Sequence, residues 1–92
     1  MKTHELKILP DYFEDVARGV KNFELRRNDR DFEVGDKLIL KEYKEGAYTG
    51  RETTRVIEYI FKGGSYGLDP EYSILGTKPC NMSFYEERGV KA

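Results

Sequence analysis

The chain has one cysteine, one histidine and almost no net charge, and each scarcity removes a class of function. A lone Cys80 cannot close an intramolecular disulfide. With only His4 beside it in the composition, the four soft ligands of a structural zinc site cannot be assembled, so no metal and no cofactor is expected. A Ser-His-Asp or Cys-His site needs a base next to its nucleophile, and His4 lies in an inward-facing strand pattern far in sequence from Cys80. Sixteen Lys and Arg against seventeen Asp and Glu leave a net charge of −1, too little for a global field that would hold the chain on a polyanion. Any such binding must be local. There is no apolar N-terminal segment and no apolar run long enough to cross a bilayer, so the expectation is no membrane partner and a reducing, cytoplasmic setting.

What is present is enough for one small folded domain. Hydrophobic residues make up 38% of the 92, below the usual share, but seven Tyr and five Phe supply the bulk of a core. A domain of this size buries only about 60–65% of the surface its unfolded chain exposes. The core must be small and its periphery polar.

Thr3 to Leu9 alternates, with His4, Leu6 and Ile8 on one face, and reads as a strand. Pro10 suits the first turn of a helix, Asp11, Glu14 and Asp15 lie near its positive end, and Gly19 fits the position just past its end. A helix of about nine residues cannot stand alone, so Phe13 and Val16 must pack on the sheet. From Val20 the period returns to two, with Phe23 and Leu25 as the apolar face and Asn22, Glu24 and Arg26 as the polar one. Asn28 to Asp31 and Gly35-Asp36 are turn chemistry, and Leu38-Ile39-Leu40 reads as a strand buried on both faces. A loop is expected from Lys44 to Gly50, then a long antiparallel strand from Thr53 to Phe61. A Gly-rich loop over 62–71 and a last strand from Tyr72 to Thr77 follow, with one helical turn around Phe84 to Arg88. The order is strand, helix and four strands with no parallel crossover after the helix. The fold expected is α+β and mostly β, a small barrel over residues 1–79 whose end the one short, early helix plugs, with 80–92 as a C-terminal tail.

One stretch carries charge out of proportion to the rest. From Arg18 to Arg30, the five cations Arg18, Lys21, Arg26, Arg27 and Arg30 oppose only Glu24 and Asp29, a local +3 in a chain of −1. On an ideal strand Glu24 and Arg26 share a face with their Cα atoms about 6.6 Å apart, close enough for a guanidinium to orient a carboxylate or clamp a phosphate. Lys21 has the opposite parity and joins them only if the chain leaves Gly19 irregularly, as glycine allows. A carboxylate held by cations can accept from a base amino group while Lys and Arg hold oxygens, which is what reading a nucleotide requires. Tyr48 and Tyr66, each in a Gly-flanked segment, offer rings on which a base could stack, or simply cover a barrel end. The bland alternative for the charged stretch is a solvated strand face.

At these residues the chain resembles a known family. Gly19-x-Lys21-x-x-Glu24-x-Arg26 after a short helix matches the signature of ASCH domains, a branch of the PUA-like superfamily. His4-Glu5-Leu6-Lys7, Phe23 through Arg30, Val34-Gly35-Asp36 and Tyr48-Thr49-Gly50-Arg51 together resemble a small phage and bacterial ASCH-like family of unknown function, over residues 2 to about 77. The resemblance implies a PUA-like β-barrel with a cleft by the signature that binds RNA, a nucleotide or a modified nucleoside. Lys7, Lys21, Glu24, Arg26, Arg30, Tyr48 and Tyr66 are the ligand-binding candidates. Some members of the wider group are amidohydrolases acting on acetylated cytidine, with Lys at the position of Lys21 and a Thr nucleophile at that of Glu24. Here a carboxylate replaces that hydroxyl, which changes any mechanism. Lys21 and Glu24 remain the catalytic candidates of an enzyme reading, which ranks behind binding and ahead of a protein-binding adaptor.

Overall fold

The computed structural model describes residues 1–80. Five strands and one helix follow in the order β1 (Thr3–Ile8), α1 (Pro10–Ala17), β2 (Phe23–Arg27), β3 (Lys37–Lys44), β4 (Ala47–Lys62) and β5 (Tyr72–Pro79). The expected turn around Phe84 to Arg88 lies outside the described residues. All five strands form one sheet in the order β1-β3-β4-β5-β2.

The sheet curls into a half-barrel. β1 lies parallel to β3, and the remaining neighbours are antiparallel. Every pairing among the strands that follow the helix is antiparallel, as expected, whereas the parallel pair was not foreseen: α1 and β2 together form the connection that returns the chain beside β1. Because β2 goes to the far edge of the sheet, the two strands flanking the helix become its two outer strands. Among the described residues β1 and β2 share no backbone ladder, so the barrel is open along this seam.

The concave face is apolar at its centre and charged at its margins. Leu6 and Ile8 of β1, Leu38 and Leu40 of β3, Ile57 of β4 and Leu75 of β5 are buried against Phe13 and Val16 of α1. The same face carries His4, Asp36, Glu42, Arg55, Thr77 and Glu24, all buried. The helix has Pro10 in its first turn and no side-chain cap, which suits a proline with no N–H to satisfy. Its end is closed by Gly19 at φ +80, with the Gly19 N–H donating to Val16 O and those of Val20 and Lys21 donating to Asp15 O.

Two local expectations change, and one point left open is decided. β3 alternates rather than burying both faces: Leu38 and Leu40 are fully enclosed and Ile39 only partly. The loop over Lys44 to Gly50 shrinks to Glu45-Gly46, both at positive φ, as a two-residue hairpin requires, so Tyr48 to Arg51 are strand. β2 keeps the expected parity, and its polar side is the one that turns inward: Phe23 and Leu25 are half-exposed and Glu24 only 3% exposed. The concave face is already filled by the aliphatic residues above, and β2, at an edge, brings to it a carboxylate with two cations attached.

Candidate functional site

Glu24 is the centre of the site. It pairs across the sheet with the fully buried Leu75, and its carboxylate points inward. Arg26 donates to Glu24 Oε1 through both Nε (3.2 Å) and Nη2 (2.9 Å). Lys21 Nζ donates to Glu24 Oε2 at 3.2 Å and to the Phe23 carbonyl at 2.9 Å. Two cations on one carboxylate leave the cluster with a net positive charge. The irregular exit at Gly19, predicted as the condition for Lys21 to join, is what the structure has.

These three side chains floor an open cleft of about 460 Å³, lined also by Lys7, Ile8, Leu9, Tyr12, Phe23 and Leu25. The volume falls in the range of about 300–1,000 Å³ usual for small-molecule sites. Its lip is aromatic. Tyr12 and Phe23 are each about half exposed, and the Lys21 ammonium lies 5.6 Å from the Tyr12 ring centre and 4.8 Å from that of Phe23. Sequence reasoning missed both rings, because Tyr12 precedes the inward Phe13 on the helix and Phe23 was placed on the face of its strand opposite Glu24 and Arg26. The signal available was that Tyr12 sits off the Phe13 and Val16 face of the helix.

A second cleft of about 410 Å³ runs along the seam and shares Lys7 and Arg26 with the first. Here side chains bridge the open edge: Arg26 Nη2 donates to the Lys7 carbonyl at 2.9 Å, and Arg30 Nη1 to the Glu5 carbonyl at 3.0 Å. A carbonyl neutralises no charge, so Arg30 keeps its own. Lys7 lies over the Tyr43 ring at 4.2 Å. Glu5, which also lines this cleft, is paired with Lys41. Arg27, Asp29, Phe32 and Tyr48 complete the wall. Of the predicted ligand residues, Lys7, Lys21, Glu24 and Arg26 meet in the first cleft, and Arg30 and Tyr48 join Lys7 and Arg26 in the second. Tyr66 lines neither cleft; it is 95% exposed beside Phe61, apart from the other candidates.

Two further carboxylates on the concave face are part of the frame. Asp36 accepts from the Lys2 and Glu33 backbone N–H groups and lies 2.9 Å from His4 Nε2. Burial alone would raise its pKa, but the bonds from His4, Lys2 and Glu33 outweigh that and hold it at about 2. Glu42 accepts two bonds from Arg51 and one from the Thr49 hydroxyl, and the Arg51 guanidinium holds its carboxyl at about 2. Arg51 also reaches Glu14 on α1 and stacks over Phe13, so it ties the helix to the β3-β4 hairpin. Arg55, 3% exposed, donates to Thr77 Oγ1, Thr77 O and Asn22 Oδ1. Burial lowers its pKa, and the charges of Glu24 and Glu58 oppose that shift. Through Asn22 it anchors the segment between Gly19 and β2 that carries Lys21. No group of acidic, histidine or cysteine side chains among the described residues could hold a metal ion, and no described helix is long and apolar enough to cross a membrane.

A small, mostly β domain with a helix-delivered lysine, a buried carboxylate and an arginine on one cleft is thus the class defined by fold and site. The chain belongs to the family described as a domain of unknown function (DUF3850), whose model matches residues 3–77. It is also similar to the "Uncharacterized 12.9 kDa protein in GpA 3'region" of Escherichia phage P2, 47% identical over 51 residues. That match covers 55% of this chain and 47% of the phage protein, so the chain aligns with about half of its relative's length.

Proposed function

We propose that the cleft binds a nucleotide unit, free or within single-stranded RNA, and that the chain is an RNA- or nucleotide-binding module of the PUA-like, ASCH kind that its signature resembles. The observation that carries this reading is the joining of two unlike clefts at Lys7 and Arg26. One has an aromatic lip and a floor of hydrogen-bonding charges, suited to a base. The other is lined by Lys7, Arg26, Arg27 and Arg30 against Glu5 and Asp29, suited to a phosphate.

The catalytic alternative has less support. Lys21 directs two of its three N–H donors to Phe23 O and Glu24, and Glu24 is engaged by both cations, an arrangement of fixed hydrogen-bonding groups that suits holding a ligand. Binding of a short mixed-sequence RNA, followed by fluorescence anisotropy over a salt series, tests the proposal. Affinity should fall as salt rises, and Arg30→Ala should weaken binding and reduce the salt slope by about one. Affinity indifferent to both would overturn it.

A further inference from the structure

The charged floor of the first cleft is unequally occupied. Glu24 Oε1 receives two donors from Arg26, whereas Oε2 receives only Lys21. A carboxylate oxygen accepts about two hydrogen bonds and an ammonium donates three. Among the described residues one lone pair on Glu24 Oε2 and one N–H on Lys21 therefore have no further hydrogen-bond partner, on atoms 3.2 Å apart, the ammonium otherwise meeting only the Phe23 and Tyr12 rings. Both groups line the cleft beneath the Tyr12 and Phe23 rings. A ligand edge that fits must offer an acceptor to the ammonium and, beside it, a donor to the carboxylate.

From this pairing we infer that the site reads the lactam edge of a nucleobase, a ring C=O next to a ring N–H, and that uracil fits it best. The inference rests on the nucleotide reading above and adds the identity of the base. A keto oxygen is a stronger partner for an ammonium than a ring nitrogen. A ring N–H lying beside a carbonyl is more acidic than an exocyclic amino N–H, and so a better donor to a carboxylate. Cytosine and adenine offer the weaker version of both contacts, with a second amino hydrogen to place. Guanine has the lactam, but its neighbouring amino group would seek Glu24 Oε1, which Arg26 already fills. Uracil presents a single N–H to the one open acceptor and, on either side of it, a ring C=O to the one open donor, with no amino group left to place. The aromatic lip stacks any base and contributes no selectivity of its own.

The test uses the unaltered chain, so no variant has to fold. Titration calorimetry with UMP, GMP, CMP, AMP and N3-methyl-UMP should give UMP as the tightest, GMP next, and CMP and AMP weaker. N3-methylation, which removes the single donor and keeps the carbonyls, ring and phosphate, should weaken UMP by about tenfold or more. Equal binding of all five would overturn the lactam reading and leave nucleotide binding standing. Tighter binding of CMP or AMP than of UMP would overturn it in the same way. No binding by any of them, nor by the short RNA, would remove the nucleotide reading itself.

Discussion

Glu24 and Glu42 lie on the same concave face, are both nearly inaccessible and are both gripped by arginine, yet they belong to different kinds of structure. Glu42 is closed off. One guanidinium meets it twice, a threonine hydroxyl completes its contacts, and the far side of that guanidinium is taken by Glu14 and the Phe13 ring. Glu24 is held by two cations arriving from different directions; Arg26 also reaches the Lys7 carbonyl of β1, but both cations line an open cleft instead of being closed off by a second carboxylate and a ring. Burial of a carboxylate therefore does not by itself separate a strut from a site. What separates them is where the partners' unused donors point.

The comparison can be broken most severely by Glu24→Ala. Removing the carboxylate leaves Lys21 and Arg26 facing each other without a counter-charge, so stability should fall by on the order of 3 kcal/mol. Nucleotide affinity should fall by on the order of a hundredfold, with urea denaturation reading the first and calorimetry the second. Arg51→Ala should give the opposite split. It releases α1 from the hairpin and lowers the melting temperature, while affinity per folded molecule is unchanged; a matching loss of affinity would mean that the two clusters are one site.

Acid distinguishes the frame more gently. Asp36 and Glu42, both at about 2 when folded, stabilise the fold fully above the ordinary carboxylate range. That contribution fades as pH falls from about 4.5 towards 2. Asp36→Asn should be less stable than the parent at neutral pH, and the two should converge near pH 2 in denaturation curves taken across the window. Parallel curves would show that the depressed pKa is not a feature of the fold. The smallest effect belongs to Lys7→Gln, which alters a side chain lying over a ring rather than in an ion pair. Affinity should drop a few-fold at low salt, with the salt slope shallower by about one and stability unaltered.

Much of this was legible in the residues. Period-two and helical patterns placed every strand and the helix, and Pro10 and Gly19 marked the helix ends. The grouping of Lys21, Glu24 and Arg26 followed from parity plus one glycine. Side-chain parity, however, does not say which face of an edge strand turns inward. Phe23 and Leu25 look like core until the sheet order shows that six aliphatic residues from four other strands, with Phe13 and Val16, already fill the concave face. The parallel partnership of β1 and β3 was hidden for a similar reason: it depends on β2 crossing to the far edge, a long-range choice that no local pattern records. Asp36 read as turn chemistry because its partners His4 and Lys2 lie more than thirty positions away.

The arginines at the seam have a consequence for how the molecule behaves in a crowd. A strand with no neighbour presents its carbonyls as a template on which another chain can add, the first step of edge-to-edge aggregation. On β1 the Glu5 and Lys7 carbonyls are instead covered by guanidinium groups from the same chain. A half-barrel has two edges where a closed barrel has none, and on the β1 edge two of the carbonyls with which a second copy would pair are already occupied by charge from within the chain.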